Sequence, residues 1–143
     1  VIQEAEAFRS AAADANDEGF VTLPRPTWSK GRATGLYGGG YQDLVELSSH
    51  LVDARLATLA NNFSAAVQSL NLGADLEDNM EYMEPPRFFQ PTRHCLGDVL
   101  LSAGRHREAE ECFLRDLKVF PENAWSLFGL SRALGLQGKR KES

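Results

Sequence analysis

A pattern that recurs every 34 residues constrains this chain more than any other feature. Moving the stretch that starts at Gln90 forward by 34 positions places Leu96 on Leu130, Val99 on Ala133, Leu100 on Leu134, Gly104 on Gly138 and Arg105 on Lys139. Moving it back, with nine extra residues allowed at 81–89, places Gly104 on Asn61, Ala109 on Ala66 and Phe113 on Leu70. A unit of this length cannot bury its own apolar face, so it must stack on its neighbours. The period therefore predicts an array of similar units. Repeats are expected at about 47–80, 90–123 and, incompletely, 124–143.

The periodicity within each unit is helical. Leu44, Leu47, Leu51 and Ala54 fall on one helical stripe, and Ala66, Leu70 and Leu76 on the next. Asn61-Asn62 offers a stop and a restart, because Asn tolerates the left-handed conformation and also caps a following helix. Helices are predicted from about 89 to 103, 106 to 119 and 123 to 138, separated by Gly104 and Pro121. Ahead of them, Ile2, Ala5, Phe8 and Ala12 predict a helix over 1–18. Residues 19–42 break the pattern with Pro24, Pro26, Gly31, Gly35 and Gly38-Gly39-Gly40, which predicts a long loop preceding a helical domain over 43–143. In that loop trypsin is expected to cut first, at Lys30 or Arg32. Pro85-Pro86 marks 81–89 as an insertion that cannot be regular helix.

Leu96-Gly97, Leu100, Gly104, Ala109, Phe113 and Pro121 form an ordered signature. It resembles that of the tetratricopeptide repeat, in which antiparallel helix pairs stack into a right-handed superhelical solenoid. The run from Tyr82 to Lys139, with its Glu-Pro-Pro insertion and its Pro-Glu-Asn, further resembles the C-terminal repeats of longer tetratricopeptide proteins. The expected fold is thus all-α. Departures from the family pattern are His50, Arg93 and Leu127 at the usual aromatic position, Asp116 in place of a small residue and Asp78 in place of a proline.

The chemistry-bearing residues do not assemble into a reaction centre. His94, Cys95 and Asp98 lie close in sequence, but Cys95 points about 100° away from His94 on a helix, and no CxxC or HExxH spacing exists. Cys95 and Cys112 are read as half-buried thiols rather than nucleophiles. The glycine run lacks the lysine and hydroxyl of a phosphate loop. Glu77, Asp78, Glu81 and Glu84 read as a solvated acidic stretch. Neither catalytic residue, nor cofactor, nor metal is expected. The 143 residues carry 20 acidic and 15 basic side chains and no basic block, which disfavours nucleic acid as a partner. No apolar run approaches a membrane span. Cytoplasmic residence is the default these features leave, and the start at Val1 suggests a piece of a longer protein.

What remains is a protein-interaction or assembly function, the resemblance implying that a peptide or protein partner lies along the first helix of each unit. Carried onto this chain, its groove positions are Leu51 and Arg55, then His94 and Asp98, then Trp125, Phe128 and Arg132. The alternative is the scaffold or oligomerisation segment of a larger enzyme. Leu127, Leu130 and Leu134 recur at helical spacing on a helix with no following partner, which raises the expectation of self-association as a homodimer. In this register Gly104→Val should destabilise strongly and His94→Ala should not.

Overall fold

The computed structural model describes residues 2–17, 41–80 and 90–139, and among these residues the chain is helical with no strand. Six helices follow in order: α1 (Ile2–Asp17), α2 (Tyr41–Leu59), α3 (Phe63–Asp78), α4 (Thr92–Ser102), α5 (His106–Val119) and α6 (Ala124–Leu136). The expectations for 19–40 and for 81–89 fall outside the described residues, the trypsin sites Lys30 and Arg32 included. Helix α2 starts at Tyr41, two residues inside the predicted loop.

Helices α2, α4 and α6 end in the same way. Asn61 (φ 56°), Gly104 (φ 73°) and Gly138 (φ 77°) each hold left-handed backbone. The next N–H in each case donates to the carbonyl five residues back, Asn62 to Ala57 at 2.8 Å, Arg105 to Leu100 at 2.9 Å and Lys139 to Leu134 at 2.9 Å. This closure satisfies carbonyls that a helix end would otherwise orphan, and it favours residues without a β-branched side chain at the left-handed position. Asn62 then caps α3 by accepting from the Ala65 N–H at 3.1 Å, and Asn123 caps α6 through the Trp125 N–H at 3.1 Å.

Each helix packs on its neighbours in sequence, and α4 also packs on α6. The contacts run end to opposite end. Gly73 late in α3 faces Leu47 and His50 early in α2. Cys112 in α5 reaches the Arg93 carbonyl at the start of α4. Gln137, just past α6, donates to the His106 carbonyl at the start of α5. Chain direction therefore reverses at 60–62, 103–105 and 120–123.

Phe113 stands at the centre of the core with 2% of its surface exposed. Leu70, Leu96 and Leu100 belong to the same cluster, as do Ala66, Ala109 and Ala133, where a small side chain lets helices approach. Gly97 of α4 and Gly129 of α6 both lie against the Phe113 ring. A Cβ on either would come within 2.3 Å of its Cζ. One aromatic ring thus sets the spacing of α4, α5 and α6.

The expected self-association stripe does not stand as one surface. Leu127 is exposed, Leu130 packs against the core cluster and Leu134 is buried at 6%. The reason is that α6 turns its 130–134 side inward, onto the helices that pack on it. The Gln137 and Lys139 side chains fasten that arrangement to Glu110 of α5, at 2.8 and 3.1 Å.

Candidate functional site

Among the described residues, four polar side chains converge between α4, α5 and α6. Asp116 follows Phe113 by three residues on α5, so the helical phase that buries the ring buries the carboxylate too, at 2% exposure. Its Oδ2 accepts from Ser126 Oγ at 2.5 Å and from Asn123 Nδ2 at 3.1 Å, and it lies 3.2 Å from His94 Nε2. Asn123 spends its Oδ1 on the Trp125 N–H, which turns its Nδ2 toward His94 Nε2 at 2.8 Å. With its proton on Nδ1 the imidazole accepts from the Asn123 amide through Nε2, and with its proton on Nε2 it donates to the Asp116 carboxylate instead. In the first case the two N–H bonds of Asn123 serve both the imidazole and the carboxylate. Two donors compensate the buried carboxylate, which would otherwise cost several kcal/mol on the order of magnitude known for isolated buried charge.

This group joins three helices. The Ser126 hydroxyl donates to the Asp116 carboxylate deep between the helices. Ser126 is fully buried and His94 nearly so, at 0% and 7%, leaving a substrate no approach. The expectation that His94 lines a groove is accordingly corrected: it is a buried structural histidine, drawn inward by Asn123 and Asp116.

A second clasp joins α3 to α4. The Thr92 N–H donates to Glu77 Oε2 at 2.8 Å, and the Arg93 guanidinium pairs in a fork with both oxygens of Asp78. Burial pushes the Glu77 carboxyl above its ordinary range, against the lowering effect of the Thr92 hydrogen bonds and of Arg93. The side chains read as a solvated acidic stretch are, at Glu77 and Asp78, engaged across a helix junction; Glu81 and Glu84 lie outside the described residues.

Cys95 is half-buried as expected, whereas Cys112 is buried. Burial pushes the Cys112 thiol up to about 11, and its S–H donates to the Arg93 carbonyl at 3.3 Å. Burial raises Cys95 as well, followed by the charges of Asp98 and Glu77. Neither is poised as a thiolate. Among the described residues no three His, Cys, Asp or Glu side chains come together as a metal-binding group, and no helix is long and apolar enough to cross a membrane.

The remaining groove residues divide. Leu51 is partly buried and packs against the core cluster. Arg55 on α2 and Asp98 on α4 are exposed. Trp125, Phe128 and Arg132 share one stripe of α6, with Trp125 74% and Phe128 62% exposed and the Arg132 guanidinium 5.9 Å from the centre of the Phe128 ring. Leu136 extends that stripe at 56% exposure and escaped the sequence reading, as did the roles of Asp116, Asn123 and Ser126. The signal for Asp116 was present as a charge in the apolar phase of α5. Its partners were not findable, because they come from two other helices.

Comparison with protein-family models, with curated proteins and with solved structures finds no match.

Proposed function

We propose that the chain is a non-enzymatic protein-interaction module of tetratricopeptide type, its helix pairs stacked as a right-handed solenoid that offers α6 to a protein partner. One observation carries the reading: Trp125 and Phe128 stand 74% and 62% exposed on a single helical stripe, extended by Leu136 and edged by Arg132. Aromatic side chains and arginine supply most of the energy at protein interfaces. Contiguous exposed apolar surface on a helix marks a site that another molecule covers.

Two further observations support the repeat character. The three left-handed helix ends, Asn61, Gly104 and Gly138, recur at the offsets found in the sequence and carry the same hydrogen bond. The close approach of Gly97 to Phe113 is the contact that the Leu-Gly and Phe positions of such a unit require. The buried group around Asp116 supports the same reading from the other side, since it welds the units together.

The test is photo-crosslinking from residue 125 in the full chain, within its native cells, beside the same crosslinker at the exposed Ser64. Protein adducts are expected at 125 and not at 64, and Phe128→Ser should reduce them about tenfold, the loss of one interfacial anchor. Equal, partner-free yields at the two positions overturn the reading.

A further inference from the structure

The open face of α6 contains both halves of a contact that the fold already uses inside. In the core, the Phe113 ring lies directly on glycines of two other helices, Gly97 and Gly129. On the outside, Phe128 is 62% exposed and Gly135 is exposed with nothing within 4 Å of where its Cβ would stand. They are seven residues apart, two helical turns, and so share one face with a drift of only about 20°. A knob and a slot on one face of one helix are complementary to the same face of a second helix running the other way.

We propose that α6 pairs antiparallel with α6 of a second copy of this chain, Phe128 of each copy lying on Gly135 of the other. This rests on the reading of α6 as a protein-binding face and names the occupant. The register brings Trp125 of one copy within a turn of Leu136 of the other, two side chains that are 74% and 56% exposed in the single chain. The charges select the direction. From Ala124 to Gly138 the chain has no acidic residue; Glu122 precedes this stretch, and Lys139-Arg140-Lys141 follows it. Antiparallel pairing sets the basic end of each α6, where Lys139 already holds Glu110 of its own chain, toward Glu122 of the other copy, whereas parallel pairing sets like ends together. The helix dipoles favour the same direction. Opposing these, the two Arg132 side chains meet near the two-fold axis, each already drawn over its own Phe128 ring.

Trp125 and Phe128 bring roughly 300 Å² of accessible aromatic surface per copy. With the flanking leucines the pair falls below the roughly 1,200 Å² at which stable complexes begin, so association is weak and depends on concentration. Sedimentation velocity on the full chain, from about 10 µM to about 1 mM, spans the range such an interface occupies. The wild type is expected to shift from monomer to dimer within it. Phe128→Ser and Gly135→Glu should each raise the dissociation constant at least about tenfold. Gly135→Glu is the decisive variant, since replacing an exposed helical glycine favours the helix itself while filling the slot. A monomeric wild type at the highest concentration overturns the proposal, as does a dimer indifferent to both substitutions. Heterologous adducts at residue 125 together with a monomeric wild type would overturn self-pairing alone and leave the interaction reading in place.

Discussion

Asp116 illustrates how much a single residue can contribute when its surroundings are arranged for it. Under the proposed repeat register its equivalent is Gly73, whose neighbours are Leu47, His50 and the Thr92 methyl group. The carboxylate needs donors where glycine needs none, and Ser126 and Asn123 supply them, with His94 beside Asn123 and the carboxylate. Asp116→Ala leaves Asn123 and Ser126 without their acceptor, and a buried polar group left unpaired costs about 1–3 kcal/mol. Removing His94 takes a hydrogen-bond partner from Asn123 or Asp116 and opens a cavity, so His94→Ala is expected to lower stability by a similar amount, contrary to the surface reading of that residue. Paired urea melts check both. If the double variant loses only what one single variant loses, the four side chains act as one unit, as their shared hydrogen bonds predict. A His94→Ala protein as stable as wild type would contradict the assignment.

At the scale of elements, helix ends carry most of the order. Gly104 adopts a left-handed φ of 73°, and the strain expected of valine there stands on that geometry rather than on crowding, since nothing lies within 4 Å of its Cβ position. The α3–α4 junction depends instead on Glu77, which accepts the Thr92 N–H at the start of α4. Because burial holds the Glu77 carboxyl above its ordinary range, the folded chain takes up a proton there at a higher pH than the unfolded chain does. Stability from this group is therefore fully present below the unfolded value and is lost as pH rises through the folded one. Asp78 and Arg93 lie beside it, and the Arg93 guanidinium, raised further by its pairing with Asp78, stays charged throughout that window. The expected outcome is that Glu77→Gln and wild type differ in melting temperature at pH 7 and that the difference shifts in favour of wild type as the pH falls toward the carboxylate range. A difference independent of pH would mean that Glu77 titrates alike in both states.

For the molecule as a whole, Phe113 is the point at which three helices are measured against one another. Its ring occupies the space that a Cβ on Gly97 or Gly129 would need, 2.3 Å away in both cases. Overfilling a packed core costs about 1–3 kcal/mol. Gly129→Ala should therefore destabilise even though alanine improves helix propensity, and Phe113→Leu should recover part of the loss in combination. Thermal denaturation of the two single variants and the double variant decides it, and strictly additive losses would show that the ring and the glycine do not compete for space.

The local architecture was legible in the sequence, and the distribution of faces was not. Helix phases, the left-handed ends at Asn61, Gly104 and Gly138, and the caps at Asn62 and Asn123 follow from interactions within a few residues, which the sequence writes out directly. The inward turn of Leu134, the burial of His94 and the exposure of Trp125 and Phe128 depend on which helix covers which side. Periodicity names a stripe but not its neighbour. Leu127, Leu130 and Leu134 look alike as a spacing, and only the seating of α6 on α4 and α5 leaves the first open and closes the last. His94 presents the same case in polar form: its own helix places it on a groove face, and it becomes a core residue because α5 and the cap of α6 bring Asp116 and Asn123 to it. Local signals are set by bonds along one chain segment, whereas burial is a property of the space between segments, and the tertiary structure alone fixes that space.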